Sequence, residues 1–166
     1  MKLLEFSSLV FFSNFLYNTW NKEYPYAWLF LLLTATSVFI HSKIFYQPIN
    51  LPEVINYSIH DIICIIDKII IVCIVIYGFT LFWKTRQVKE TSDIPIICFL
   101  AVCYLYIGGY FLKKYCFDPD IDYANIIHAC LHIISSIGHH VIMYEYANLE
   151  WMRKILLQGF IKFLSE

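Results

Sequence analysis

Charge is scarce in this chain. Asp, Glu, Lys and Arg make up 15% of its 166 residues, against about a quarter in an ordinary soluble domain. The few charges nearly cancel, at a net of -1, and no basic patch with interleaved aromatics occurs, so nothing argues for a nucleic-acid partner. Glycine is thin as well, at five residues. It forms neither a phosphate-cradling loop nor a Gly-x-Ser-x-Gly elbow, which leaves nucleotide use and serine hydrolysis without support. Six cysteines are present, but none forms a Cys-x-x-Cys pair. Cys64, Cys73, Cys98, Cys103 and Cys130 fall in apolar stretches and Cys116 stands alone, so neither a disulfide framework nor redox exchange is expected. Glycine and proline do not interrupt a matched pair of helices. Gly108-Gly109 is the one break, near a helix end, and this argues against a transporter or channel core.

Apolar residues are abundant instead: 60% of the chain, with a mean hydropathy of +0.63. This is the composition of a polytopic membrane protein, and the length leaves room for one helical bundle. A window of about 20 residues, the length that crosses a hydrocarbon core, predicts five spans. They run from Leu3 to Trp20, Tyr26 to Tyr46, Pro52 to Trp83, Ile94 to Phe117 and Tyr123 to Tyr146. The first is short and carries Glu5 and Asn14, yet no small-x-small cleavage site precedes Trp20, so it reads as a span and not a signal peptide. Breaks are expected at Asn21-Lys22-Glu23, at Gln47-Pro48-Ile49-Asn50-Leu51-Pro52, from Lys84 to Asp93, and at Asp118-Pro119-Asp120. Such short connections make neighbouring helices antiparallel. Strands are disfavoured, because only a helix satisfies its own backbone in lipid without a closed barrel. The fold class predicted is therefore all-α, a polytopic bundle over residues 1–148 with a tail over 149–166.

In that tail Leu149, Met152, Leu156, Phe160 and Phe163 share a face, while Glu150, Lys154, Gln158 and Lys162 lie opposite or beside it. The pattern fits a helix lying in the membrane interface, or one packed on the bundle. Orientation follows from basic residues. Lys2, Lys43, Lys113 and Lys114 fall on one side, and Lys22, Lys84, Arg86, Lys89, Arg153, Lys154 and Lys162 on the other. The positive-inside rule then puts the carboxy terminus in the cytoplasm and the amino terminus outside or in a lumen. The sequon Asn56-Tyr57-Ser58 falls on the outer side, close to the membrane. Tyr144, Glu145 and Tyr146 read as interface anchors.

Ionisable and nucleophilic residues inside apolar spans call for a partner or a function. Here they are Ser37-x-x-x-His41, then Asp61 and Asp67, then His128-x-x-x-His132. Antiparallel helices bring Ser37, His41, Asp61, His128 and His132 towards the same leaflet. Residues four apart on a helix are about 40° apart in azimuth and about 6 Å apart along the axis, so His128 and His132 project from one face. With His41 they make a three-histidine metal set. Zinc is the default for neutral imidazoles, with a fourth position left for water and a nearby carboxylate to take its proton. Ser37, one turn from His41, is placed to hydrogen-bond that water or a substrate carbonyl. The competing reading is a set of unrelated interhelical hydrogen bonds. His60, His139 and His140 are expected to be hydrogen-bonded packing residues. His139, seven positions beyond His132 and about 10 Å deeper, would extend a polar path.

The set resembles the CREST superfamily of membrane hydrolases, which includes alkaline ceramidases, progestin and adiponectin receptors, and the transmembrane protein 8 and myomaker branch. Ser37-Val38-Phe39-Ile40-His41 and His128-Ala129-Cys130-Leu131-His132 fit its signature, with an Asp in the span between. The myomaker branch is the most similar, through His60-Asp61-Ile62, the acids Asp61 and Asp67, and Cys116-Phe117-Asp118-Pro119-Asp120-Ile121-Asp122-Tyr123. The resemblance covers Leu3 to Tyr146. It implies a zinc-dependent hydrolase of a lipid amide or ester, with a membrane lipid as substrate. The alternative it implies is a non-catalytic, myomaker-like membrane-remodelling or interaction protein with a structural metal. Family members usually have seven spans; five imply a bundle open on one side or a homo-oligomer. The resemblance favours Asp67 as the acting carboxylate, while depth counted from Pro52 favours Asp61. Asp67 is preferred.

Overall fold

The computed structural model describes residues 2–42 and 53–165, with side chains from residue 59 in the second stretch. The expected break at residues 47–52, the end of the second span at Tyr46 and the basic residue Lys43 lie outside the described residues. Asn56-Tyr57-Ser58 falls within a helical backbone. The helices are α1 (Lys2–Ser8), α2 (Val10–Trp20), α3 (Tyr24–His41), α4 (Glu53–Arg86), α5 (Ile94–Cys103), α6 (Gly109–Leu112) and α7 (Ile121–Ser165). A π-helical turn, Tyr104–Gly108, joins α5 to α6, and a 3-10 turn, Tyr115–Phe117, precedes α7. No strand occurs among the described residues. Four segments are long and apolar enough to cross a membrane: Tyr24–His41, Ile59–Arg86, Ile94–Phe117 and Ile121–Ser165. The chain is an integral membrane protein of the all-α class.

The segment expected as the first span is two helices, not one. Ser7 and Ser8 both turn their hydroxyls back onto the Leu4 carbonyl, at 3.0 and 2.8 Å. Side chains bonded to the backbone in this way compete with the helical ladder and bend it. At the bend the ladder tightens by one residue, with Leu9 N bonded to Phe6 O at 3.1 Å and Phe12 N to Leu9 O at 3.0 Å.

Helix α3 begins with Pro25 in its first turn, where the missing N–H costs nothing. Its buried residues Tyr26, Ala27, Phe30, Leu33, Thr34 and Ser37 form one stripe, and His41 continues it by a further turn. The stripe packs with Phe11 of α2, Ile70, Ile74, Leu81 and Phe82 of α4, and Ile142 and Met143 of α7 to form the core. Helix α7 is the hub, touching α1, α2, α4, α5 and the 3-10 turn. At its contact with α5, a β-carbon on Gly138 would lie 3.0 Å from the Cys98 β-carbon, so the small residue sets how near the two helices come.

The π turn and α6 replace the continuous helix expected up to Phe117. Helix α6 ends on Lys113, whose φ of 53° is left-handed. Helix α7 has 45 residues, about 68 Å at 1.5 Å per residue, which is more than twice a hydrocarbon core of about 30 Å. It runs without a break through Asn148 and Leu149, where the sequence pattern places a boundary. Leu149 is packed into the bundle, and every residue from Trp151 to Ser165 is exposed. Glu145 is buried, and its Oε1 accepts the Ser92 backbone N–H at 2.8 Å, tying the α4–α5 connection to α7.

Candidate metal centre

Three imidazoles meet between the end of α3 and the early turns of α7. One ligand nitrogen from each of His41, His128 and His132 lies within 4.8 Å of the others. The ring centroids are 4.8 Å apart for His128 and His132, 5.1 Å for His41 and His128, and 5.6 Å for His41 and His132. Tetrahedral zinc with Zn–N near 2.0–2.1 Å needs donor nitrogens about 3.3 Å apart. The three nitrogens would have to draw closer by side-chain rotation to reach that spacing. The three imidazoles could hold a metal ion between them, and three histidines with a fourth position left for water is a donor set that zinc takes.

Phe11 packs beside the cluster, its ring 5.1 Å from that of His132. On the other flank the π turn carries Tyr106, whose ring is 6.4 Å from His128 and 5.1 Å from Phe117 of the 3-10 turn. Single-turn π segments often accompany functional sites.

Ser37 sits on the same helix as His41, buried, with its Oγ 3.0 Å from Ser8 Oγ. Ser8 already donates its one hydrogen to Leu4 O, so Ser37 is the donor between the two serines. Its own hydrogen is thereby used, and Ser37 faces any further partner as an acceptor. Of the two roles expected for it, bonding a water hydrogen fits this arrangement directly, and donating to a substrate carbonyl would require the Ser37 hydrogen to turn away from Ser8.

Asp67 is half-buried, and its Oδ1 accepts the Thr36 hydroxyl at 2.5 Å. That bond fixes Asp67 of α4 against α3 at the level of Ser37. Asp61, six residues or about 9 Å earlier on α4, has a side chain 75% exposed, and its Oδ1 lies 3.9 Å from His60 Nδ1. The structure thus gathers His41, His128 and His132, joins Asp67 and Ser37 to neighbouring positions of α3 and α1, and holds Asp61 at the periphery. Three residues of this arrangement, Ser7, Ser8 and Thr36, were not singled out in the sequence. Ser7-Ser8, two adjacent hydroxyls at the end of a short helix, was the available signal.

Below the cluster, polar pairs continue along α7. Asn14 Nδ2 donates to Ser136 Oγ. His140 Nδ1 donates to the Ser136 carbonyl at 3.0 Å and stacks on Tyr17. His139 Nδ1 is hydrogen-bonded to the Tyr26 hydroxyl. No protein-family model, no curated protein and no solved structure matches the chain.

Proposed function

We propose that this chain crosses the membrane five times, with α1–α2 as its first crossing, and holds a zinc ion through His41, His128 and His132. Its activity on this reading is hydrolysis of a lipid amide or ester, in the manner of the CREST hydrolases that its motifs resemble. The observation that carries the reading is the convergence of three imidazoles from α3 and α7, with ligand nitrogens within 4.8 Å. A zinc ion held by His41, His128 and His132 would supply Lewis-acid chemistry towards water and an acyl carbonyl. Asp67, steadied by Thr36 at one carboxylate oxygen, takes a proton from the attacking water and returns it to the leaving amine or alkoxide. Ser37 accepts a hydrogen from that water. On this reading the five-span bundle either stays open where seven-span CREST members have two more helices or is completed in a homo-oligomer.

Metal content by elemental mass spectrometry on detergent-purified protein tests the site. About one zinc per chain is expected in the wild type, and none in the correctly folded His128→Ala, His132→Ala variant. Asp67→Asn is expected to retain zinc while turnover of lipid amides or esters falls by roughly 100-fold or more. Asp61→Asn should leave both unchanged. Well-folded wild type that takes up no zinc would refute the reading. Zinc bound with no turnover, and with Asp67→Asn indistinguishable from wild type, would assign the metal a structural role in a non-catalytic, myomaker-like protein.

A further inference from the structure

The first helix contributes no ligand, yet it supplies the hydrogen bond that decides which nitrogen of one ligand is free. Ser7 is buried on α1, and its Oγ donates to the Leu4 carbonyl at 3.0 Å. The same Oγ lies 2.9 Å from His132 Nδ1. A hydroxyl carries one hydrogen and two lone pairs. With the hydrogen directed to Leu4, Ser7 meets His132 as an acceptor, and the bond forms only if His132 carries its hydrogen on Nδ1. A neutral imidazole has one N–H, so Nε2 keeps its lone pair.

We propose that Ser7 is a positioning residue that holds His132 in the Nδ1–H tautomer and so makes Nε2 its metal-ligating atom. Histidine ligands commonly donate their second ring N–H to a neighbouring acceptor, which fixes the tautomer and ring direction. Here the acceptor comes from α1, and its direction is set by the Leu4 carbonyl. The carbonyl also receives Ser8 at 2.8 Å, so one backbone oxygen orients both serines. Ser7 thereby aims His132, and Ser8 takes the Ser37 hydrogen. The bend after Ser8 follows from this use of the backbone, which makes it part of the site. Phe11, one turn beyond Ser7, packs against the same ring, tilted by 58° at a centroid distance of 5.1 Å. The imidazole is thus fixed in orientation by α1 and in position by α2.

The consequence for metal binding rests on the zinc reading, whereas the tautomer does not. Two measurements keep them apart. Long-range 15N–1H correlation spectra of metal-free, histidine-labelled protein report which nitrogen of each imidazole is protonated, with His132 assigned by its absence from the His132→Gln spectrum. His132 is expected as the Nδ1–H form in wild type and in Ser7→Thr, which keeps the hydroxyl, and as a mixture or the Nε2–H form in Ser7→Ala. Zinc titration with a competing chelator should show affinity weakened by roughly 10- to 100-fold in Ser7→Ala and restored in Ser7→Thr. An Nε2–H His132 in wild type overturns the proposal even if Ser7→Ala does not fold. So does a Ser7→Ala protein with unchanged tautomer and zinc affinity. Wild type with the Nδ1–H tautomer but no zinc binding defeats the metal reading and leaves the role of Ser7 standing.

Discussion

Tyr26 has no exposed surface, and its hydroxyl is bonded to His139 at the heart of the bundle. Its ring stacks on Tyr77 at 5.0 Å, and Tyr77 in turn donates to the Glu23 carboxylate at 2.9 Å. Gly78 makes the arrangement feasible, because a β-carbon there would lie 2.6 Å from the Tyr26 hydroxyl oxygen. Tyr26→Phe keeps the ring and its packing but leaves His139 Nδ1 buried without its partner, at a cost of about 1–3 kcal/mol. The expected result is a lower thermal midpoint in detergent with zinc stoichiometry unchanged, since His139 lies about 10 Å along α7 from His132. An unchanged midpoint would mean that the bond contributes nothing net. At this scale the histidine set was legible in the sequence, because a spacing of four on a helix fixes a shared face wherever the helix packs. The roles of Ser7, Ser8 and Thr36 were not. A hydroxyl in an apolar helix bonds its own backbone by default, and only the facing helix shows which hydroxyls have a second partner.

Among the elements, α5 depends on one close approach. Pro95 and Cys98 lie nearest to Gly138, and a β-carbon there would fall 4.0 Å from Pro95 Cα and 3.0 Å from Cys98 Cβ. Apolar side chains give little net drive for helix association in lipid, so close packing through small residues carries it. Gly138→Leu is expected to separate α5 from α7 and lower the thermal midpoint, by about 1–3 kcal/mol of overpacking. Cys98→Gly in the same chain should recover part of the loss, because it removes the atom that the new side chain meets. A midpoint in Gly138→Leu equal to wild type, or a double variant no better than the single, would show that this contact does not hold α5. The position of this helix was legible from its hydropathy, but its interior was not. Gly108-Gly109 marks a break near the end of this segment but does not foretell a π turn at Tyr104–Gly108, from which Tyr106 packs with Phe117 and His128. The uninterrupted course of α7 escaped for the converse reason. The charges at Glu150, Arg153 and Lys154 alter the pattern, yet Ala147-Asn148-Leu149 contains neither glycine nor proline to end a helix.

In the molecule as a whole, the site and the basic loop occupy opposite ends. The histidines sit where α3 ends and α7 begins, whereas Glu145, about 20 Å further along α7 from His132, grips the Ser92 backbone of the α4–α5 connection. That connection and the segments flanking it carry Lys84, Arg86 and Lys89, and Arg86 pairs with Asp93 at 3.2 Å. A positive cluster of this kind is retained on the cytoplasmic side, so the three histidines should lie in the outer or lumenal half of the bilayer. On the proposed hydrolase reading, substrate would then be drawn from that leaflet, and on this orientation the exposed end of α7, from Trp151 onward, would emerge on the cytoplasmic side. Single cysteines at Glu90, Asp120 and Ser165, in a chain whose native cysteines have been replaced, test the arrangement with a membrane-impermeant thiol reagent. In sealed vesicles of known sidedness, Asp120→Cys should react from the outer face, and Glu90→Cys and Ser165→Cys only after the membrane is opened. The inverse pattern would keep the bundle and move the site to the cytoplasmic leaflet. Reaction of Glu90→Cys and Asp120→Cys from the same face would mean that the segment between them does not cross, and would remove the fourth span on which the α5–α7 contact and the depth of the histidine site both depend.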